Sequence, residues 1–170
     1  AQPKAAQPEP TLTPENAAEL CQRLFEEPKE YIGDTAQRRR RAMRDESCKM
    51  AFDADPANTQ LKVAVARSLP YERKNEAVAM LREAAAQGNA EAYHQLYEHH
   101  KSWDRGDLDK VPLVTPAEAG QALRKAAELG HPFSTQMLAR RLEDGDIVKR
   151  DLVAARYWAE RAVANPAKDA

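Results

Sequence analysis

Three histidines crowd the stretch EAYHQLYEHHKSW, where His94, His99 and His100 stand close to Glu98. Imidazoles and a carboxylate in one place could bind a transition metal. The spacing speaks against it: His99 and His100 are adjacent and point apart on a helix, and no cysteine or i, i+4 histidine pair joins them. The acidic run DRGDLD, residues 104–109, lacks the ligand spacing and closing glutamate of a calcium loop. Its Arg-Gly-Asp triplet is too short to mark a receptor ligand. No nucleophile elbow, phosphate-cradling glycine loop or Ser/His/Asp set stands out. With 27 Asp and Glu in the chain, the nearness of two carboxylates carries no information. The expectation is a non-enzymatic chain with no catalytic residues, no metal site and no cofactor.

The run QRRRRAMR, residues 37–44, could grip phosphate or serve as a targeting signal. No aromatic residue is interleaved with it, Arg41 and Asp45 stand at i, i+4, and 26 Lys and Arg balance the 27 Asp and Glu of the whole chain. A solvated helix face is the expected reading, and nucleic acid is not an expected partner. No apolar run approaches the ~20 residues needed to cross a bilayer, so membrane insertion of this chain is not expected either.

The elements that must position these residues are helices. Gly is scarce at 6, charged residues make up 31%, and Ala, Glu, Arg, Leu and Lys abound among the 170 residues. These side chains lose little freedom in a helix. Residues 1–12 read as a flexible lead-in. The first residue, Ala, fits equally the product of signal-peptide cleavage and a cut from a longer protein. Thr13 can cap and Pro14 suits the first position of a helix over 13–27, whose Ala17, Leu20, Cys21, Leu24 and Phe25 share one face. Asp34 offers the cap for a second helix, 35–53. Three more pairs come after it, 57–69 with 75–87, 89–101 with 116–129, and 132–143 with 151–164, and a long loop spans 101–115. No strand-like alternation lies between them, so the expected class is all-α.

The stretches CKMAFDADPAN, LREAAAQGNAEA, LRKAAELGHPFS and AERAVANP each close a helix on small residues, break, and in the first three begin another helix. Their markers Ala51, Ala84, Ala126 and Ala162 are 33, 42 and 36 residues apart, the period of helix-turn-helix solenoids. Such a unit cannot bury its apolar face alone, so neighbours must stack. The expected organisation is an N-terminal pair at 13–54, units at 55–88, 89–130 and 131–165, and a tail at 166–170.

STQMLARRLEDGDIVKRDLVAARYWAERAV, within the last unit, resembles the Sel1-like repeat, a relative of the tetratricopeptide repeat. Leu138, Gly145, Val148, Asp151, Ala155, Trp158 and Ala162 fall on the marked places of that pattern, with Ala139 where a small Gly is usual and Arg161 for Lys. The preceding unit fits through Ala92, Leu96, Ala119, Ala126, Ala127 and Gly130. Residues 44–88 look more like a plain tetratricopeptide unit, and the resemblance spans about 44–165. It implies a right-handed α-solenoid of antiparallel helix pairs, with Trp158 as a packing knob and with Gly145 and Asp151 shaping the turn and capping the last helix. Tyr97 takes the place of the small Gly, and His100 that of a Tyr, so the middle unit must pack differently.

Cys21 and Cys48 sit one on each helix of the N-terminal pair. They could be buried thiols. A bridge closing their 27-residue separation would instead stabilise an end that has only one neighbour, by about 3 to 4 kcal/mol. The bridge is the favoured reading, and with it a periplasmic or secreted location.

Function is then expected to lie in protein contacts. The family resemblance implies an adaptor or regulator of the bacterial envelope, with signalling or secretion components as partners. An immunity protein that neutralises an antibacterial toxin is the second reading, and a cell-wall or β-lactam hydrolase the third. In helix-pair solenoids the first helix of each pair lines the inner face. Taking Val65, Leu96 and Leu138 as equivalent packing sites, the inward positions are Gln60, Val63 and Arg67; Glu91, His94 and Glu98; and Phe133, Gln136 and Arg140. Phe133 and Arg140 are the expected anchors, since aromatics and Arg dominate hot spots. Trp103, Leu113 and Val114 in the long loop either meet a partner or fold back over the irregular unit near Tyr97.

Overall fold

The computed structural model describes residues 11–26, 33–103 and 112–164. Among them are eight α-helices and no strand: α1 Ala17–Glu26, α2 Asp34–Ala54, α3 Thr59–Ser68, α4 Lys74–Ala86, α5 Ala90–Trp103, α6 Pro116–Glu128, α7 Pro132–Asp144 and α8 Leu152–Ala164. Each helix packs on the next, α1 on α2 through α7 on α8, and α3 also touches α1 and α5. The chain is a helical solenoid of stacked pairs.

The units repeat because their ends repeat. Asn58, Asn89 and His131, 31 and then 42 residues apart, precede the first helices of three pairs. Asn58 Oδ1 accepts from the Gln60 and Leu61 amides, Asn89 Oδ1 from Ala92, and His131 Nδ1 from Ser134. Each satisfies amide groups that a helix start leaves without a partner. The second helices α4 and α6 also end alike: the Asn89 amide donates to the Ala84 carbonyl, and the His131 amide to that of Ala126. Thr115 caps α6 through the Glu118 amide, and Asp151 Oδ1 accepts from the Val153 and Ala154 amides, as the repeat pattern implied. Gly145 ends α7 in the left-handed region at φ 77°, where a Cβ would meet Arg150 Cβ at 2.8 Å; both facts call for glycine.

Small residues set the spacing between helices. Ala84, Ala92, Ala119, Ala126 and Ala127 are fully buried, and Val78, Leu81, Leu96, Leu123, Leu138 and Leu142 fill the volume between them. At Gly120, a Cβ would lie 2.6 Å from the Ile147 carbonyl oxygen and 3.2 Å from Val148 Cγ1. The α7–α8 turn rests directly on the α6 backbone there.

Several local expectations change. α1 begins at Ala17, not Thr13, because the Thr13 amide bonds Asn16 Oδ1 in a turn that Asn16 also ties to the Thr11 carbonyl. Asp34 is the first helical residue of α2 and not its cap; Gly33 holds that place without a side-chain bond. Asp45 pairs with its neighbour Arg44 at 2.8 Å instead of with Arg41. α5 continues to Trp103, past the expected 101, because Tyr97 and His100 extend its buried face by a turn. In α3 the buried residues are Val63 and Ala66, while Val65 is half-buried. Trp158 is half-buried against the core rather than a fully enclosed knob. Its ring meets Tyr157 edge-on at 5.3 Å.

The irregular middle unit closes on itself. Tyr97 is fully buried, and its hydroxyl accepts from Arg141 Nε at 3.1 Å. Val114 is also fully buried, and its carbonyl bonds His100 Nδ1 at 3.0 Å. Leu113 is half-buried, and its carbonyl accepts from Arg82 Nη2 at 2.7 Å while the same guanidinium grips both Glu118 oxygens. Val114 therefore belongs to the core and is not a partner contact. The Trp103 side chain and residues 104–111 lie outside the described residues.

At the N-terminal end, Cys21 and Cys48 form a buried disulfide. Two outcomes are expected from these features. Cys21→Ser with Cys48→Ser should lower unfolding stability by about 3 kcal/mol in urea titration, with helicity retained in the folded state. Gly120→Ala should cost about 1 to 3 kcal/mol, since the added methyl must displace backbone at Ile147; thermal melting reads that loss directly.

Candidate partner-binding surface

The first helices α3, α5 and α7 stand in succession along the solenoid, and each binds the next through side chains. Asn89 Nδ2 donates to Thr59 Oγ1 at 3.1 Å. His131 Nε2 lies 2.9 Å from Glu91 Oε2, and His94 Nδ1 lies 3.0 Å from Ser134 Oγ. Arg141 Nε donates to Tyr97 Oη further along. The cap residues of α5 and α7 thus reach back to the start of the preceding first helix, so these caps serve both the helix end and the stacking.

A polar cluster forms where these bonds meet. Glu91 receives Gln95 Nε2 at 2.7 Å, Arg67 Nη1 at 3.3 Å and His131 Nε2 at 2.9 Å. The His94 and His131 rings stack 4.2 Å apart, and Phe133 lies 6.4 Å from each. Burial opposes ionisation of Glu91, yet hydrogen bonds from His131 and Gln95 and the charge of Arg67 outweigh it and hold its pKa below the usual carboxylate value. Burial, reinforced by His131, pushes His94 down to about 4. Burial also lowers His99. Beside the cluster, the Arg44 and Arg67 guanidiniums lie 4.6 and 4.7 Å from the Phe25 ring centre, which fixes Arg67 between an aromatic face and a carboxylate.

Of the inward positions, Gln60, Arg67, Phe133, Gln136 and Arg140 are exposed, and Glu91, His94 and Glu98 are half-buried. Val63 is 3% exposed and belongs to the core. It packs in one buried cluster with Ala66, Ala77, Val78 and Leu81, whereas Gln136 at the same repeat position in α7 is exposed. Sequence reasoning passed over His131, Phe25 and Arg44. The signal for His131 was present: GHP at 130–132 parallels GNA at 88–90, with the histidine in the capping place of Asn89.

The arrangement holds a hydroxyl and an imidazole at bonding distance, Ser134 and His94, yet it is not built for nucleophilic attack. Ser134 is fully buried, and the carboxylate that would orient the base, Glu91, bonds the other histidine. Among the described residues, no group of three or more His, Cys, Asp or Glu side chains is placed to hold a metal ion, and no helix is long and apolar enough to cross a membrane. What the cluster does is lock the α3, α5 and α7 surface into one shape.

That lock is sensitive to acid. Between about pH 6.5 and 4 the unfolded chain takes up a proton at His94 that the folded chain does not, so stability falls as pH drops through this window. Glu91 and His99 act in the same direction, since lowered folded-state values favour the less protonated state. Urea unfolding at about pH 7, 5.5 and 4 should show the decline. His94→Gln should flatten it by on the order of 3 kcal/mol.

No family model and no curated protein matches the chain. A solved structure does: the crystal structure of a Sel1 repeat protein from Oxalobacter formigenes is similar over 72% of this chain and 90% of that one, with 26% sequence identity and a TM-score of 0.57. Helix pairs with period-specific caps, the Gly145 turn, the Asp151 cap and the Ala155 and Ala162 packing places agree with that likeness, and this chain has the fold of a Sel1 repeat helical solenoid.

Proposed function

We propose that this chain is a non-enzymatic adaptor of the bacterial envelope that receives a segment of another protein along α3, α5 and α7. The Sel1 repeat fold is a protein-interaction fold. The observation that carries the reading to this surface is the row of exposed Arg67, Phe133, Gln136 and Arg140 standing over the Glu91, His94 and His131 cluster. An aromatic and arginines presented from a rigid base suit a hot spot, because little side-chain freedom is left to lose. The two arginines of the row are set apart by Phe133 and Gln136, and each lies beside a carboxylate, Arg67 by Glu91 and Arg140 by Asp144, which suits a polypeptide better than a continuous phosphate backbone. The buried Cys21–Cys48 bridge supports an oxidising compartment.

Pull-down from a native envelope extract, then titration with the captured partner, tests this. Phe133→Ala and Arg140→Ala are each expected to weaken binding by about 1 to 3 kcal/mol with helicity unchanged, and Arg124→Ala on the second helix α6 should bind normally. Normal binding by both first-helix variants, with loss in Arg124→Ala, would move the interface to the opposite face.

A further inference from the structure

α8 packs on α7 through Ala155, Trp158 and Ala162 and turns its other side to water, where Leu152, Val153, Tyr157 and Val163 are 57, 84, 52 and 83% exposed. α8 is the last helix among the described residues, and a solenoid helix with no described neighbour beyond it leaves some stacking surface uncovered. Two of these residues do not belong to that surface. Aligned through Ala77, Ala119 and Ala155, the α8 positions Val153 and Tyr157 correspond to Asn75 and Ala79 in α4 and to Ala117 and Gln121 in α6. All four of those residues are exposed although α4 and α6 are each succeeded by a further helix.

The stacking edge itself has also changed. Val78 in α4 and Gly120 in α6 are buried, and the corresponding residue in α8 is Arg156, paired at 3.0 Å with Glu160 and with its side chain 84% exposed. Gly120 is the position on which the Ile147 carbonyl rests, so an arginine there refuses a turn of that kind. This face is made for an occupant other than another repeat of the same type.

Val153, Arg156, Glu160 and Val163 are spaced 3, 4 and 3 residues apart, a single stripe along a helix of the kind that forms a two-helix seam. The stripe is its own antiparallel complement: apolar at both ends, opposite charges within, and symmetric about the level of residue 158. We propose that it pairs with the same stripe on a second copy of this chain, across a two-fold axis. Val153 then meets Val163 of the second copy, and Arg156 meets Glu160 of the second copy, so four charges alternate in sign around the axis. A parallel pairing would set Arg156 on Arg156 and Glu160 on Glu160, so charge selects the antiparallel form. The net charge of −1 leaves no field that would drive two copies apart. One thirteen-residue helix gives an interface below the ~1,200 Å² of stable complexes, which makes the dimer weak and reversible. Because α8 is a second helix, the pairing leaves α3, α5 and α7 open, and two copies present two such surfaces to one target.

Sedimentation equilibrium of the full, disulfide-intact chain from about 10 µM to 1 mM should fit a monomer–dimer scheme with a dissociation constant near ~100 µM. Arg156→Glu places four acidic groups around the axis and Glu160→Arg four basic ones, and each should weaken self-association at least ~tenfold. Mixing the two variants should restore a one-to-one dimer, and the double swap Arg156→Glu with Glu160→Arg should restore the homodimer. A chain that stays monomeric throughout that range overturns the proposal. So does a dimer indifferent to both single changes, or a mixture of the two that fails to associate.

Discussion

Helices of ten to fourteen residues with an apolar face are marginal by themselves, and of the eight α-helices among the described residues all but α2 are of that length. Each is held by its neighbours, so the chain stands or falls on contacts between successive helices. Alanine makes those contacts close. With Ala84, Ala92, Ala119, Ala126 and Ala127 fully buried, helix axes approach near enough for cap residues to reach across to the neighbouring helix. The Asn89–Thr59 and His131–Glu91 bonds depend on that approach. Larger residues at these positions would separate the helices and break the ladder that orders the α3, α5 and α7 surface.

The same dependence explains how the two ends differ. Among the described residues α1 packs mainly on α2, and the Cys21–Cys48 bridge ties the two together. Cross-linking limits the unfolded chain more than it adds native contacts. α8 has no such bridge. Ala155 is its one fully buried residue, while Trp158 and Ala162 pack half-buried. The middle unit needed another remedy. Tyr97 stands where the family uses glycine, and its bulk is absorbed by Val114 and His100 closing over it and by Arg141 satisfying its hydroxyl. A buried hydroxyl without that bond would cost about 1 to 3 kcal/mol.

Much of this could be read from residue order. The helix pairs are legible in the period of alanines, and the Gly145 turn and Asp151 cap in their fixed offsets to Trp158. The disulfide is legible in the placing of one cysteine on each of two paired helices. Other features were hidden because they depend on a third element. Val63 has the same helical phase as His94 and Gln136, yet it joins the buried cluster of Ala66, Ala77, Val78 and Leu81, which its phase within α3 does not reveal. Arg44 turned to Asp45 and Phe25 instead of leaving Arg41 to the i, i+4 pair, a choice made by the α1–α2 packing. The half-buried state of Trp158 follows from how α8 lies on α7, which no spacing within the repeat reveals. His131 was legible as a cap and illegible as a partner of both Glu91 and His94, because the 42-residue span that brings His131 and Asn89 into register exists only once the helices stack.

Specificity in such an array comes from unlike residues at like places. The three successive first helices carry Gln60, Glu91 and Phe133 at one repeat position, Val63, His94 and Gln136 at a second, and Arg67, Glu98 and Arg140 at a third. The backbone repeats while the chemistry changes along the row, from polar to acidic to aromatic at the first position and from basic to acidic and back at the third. Where neighbouring positions have opposite character they bind one another, as Arg67 binds Glu91, and what they hold fixed is a background for Phe133 and Arg140, which stay exposed. On the proposed reading, a partner would meet a surface whose charges are largely paired with each other. Its affinity would then rest on the few side chains still uncovered, and the interior cluster would contribute by ordering the helices that carry them without touching the ligand.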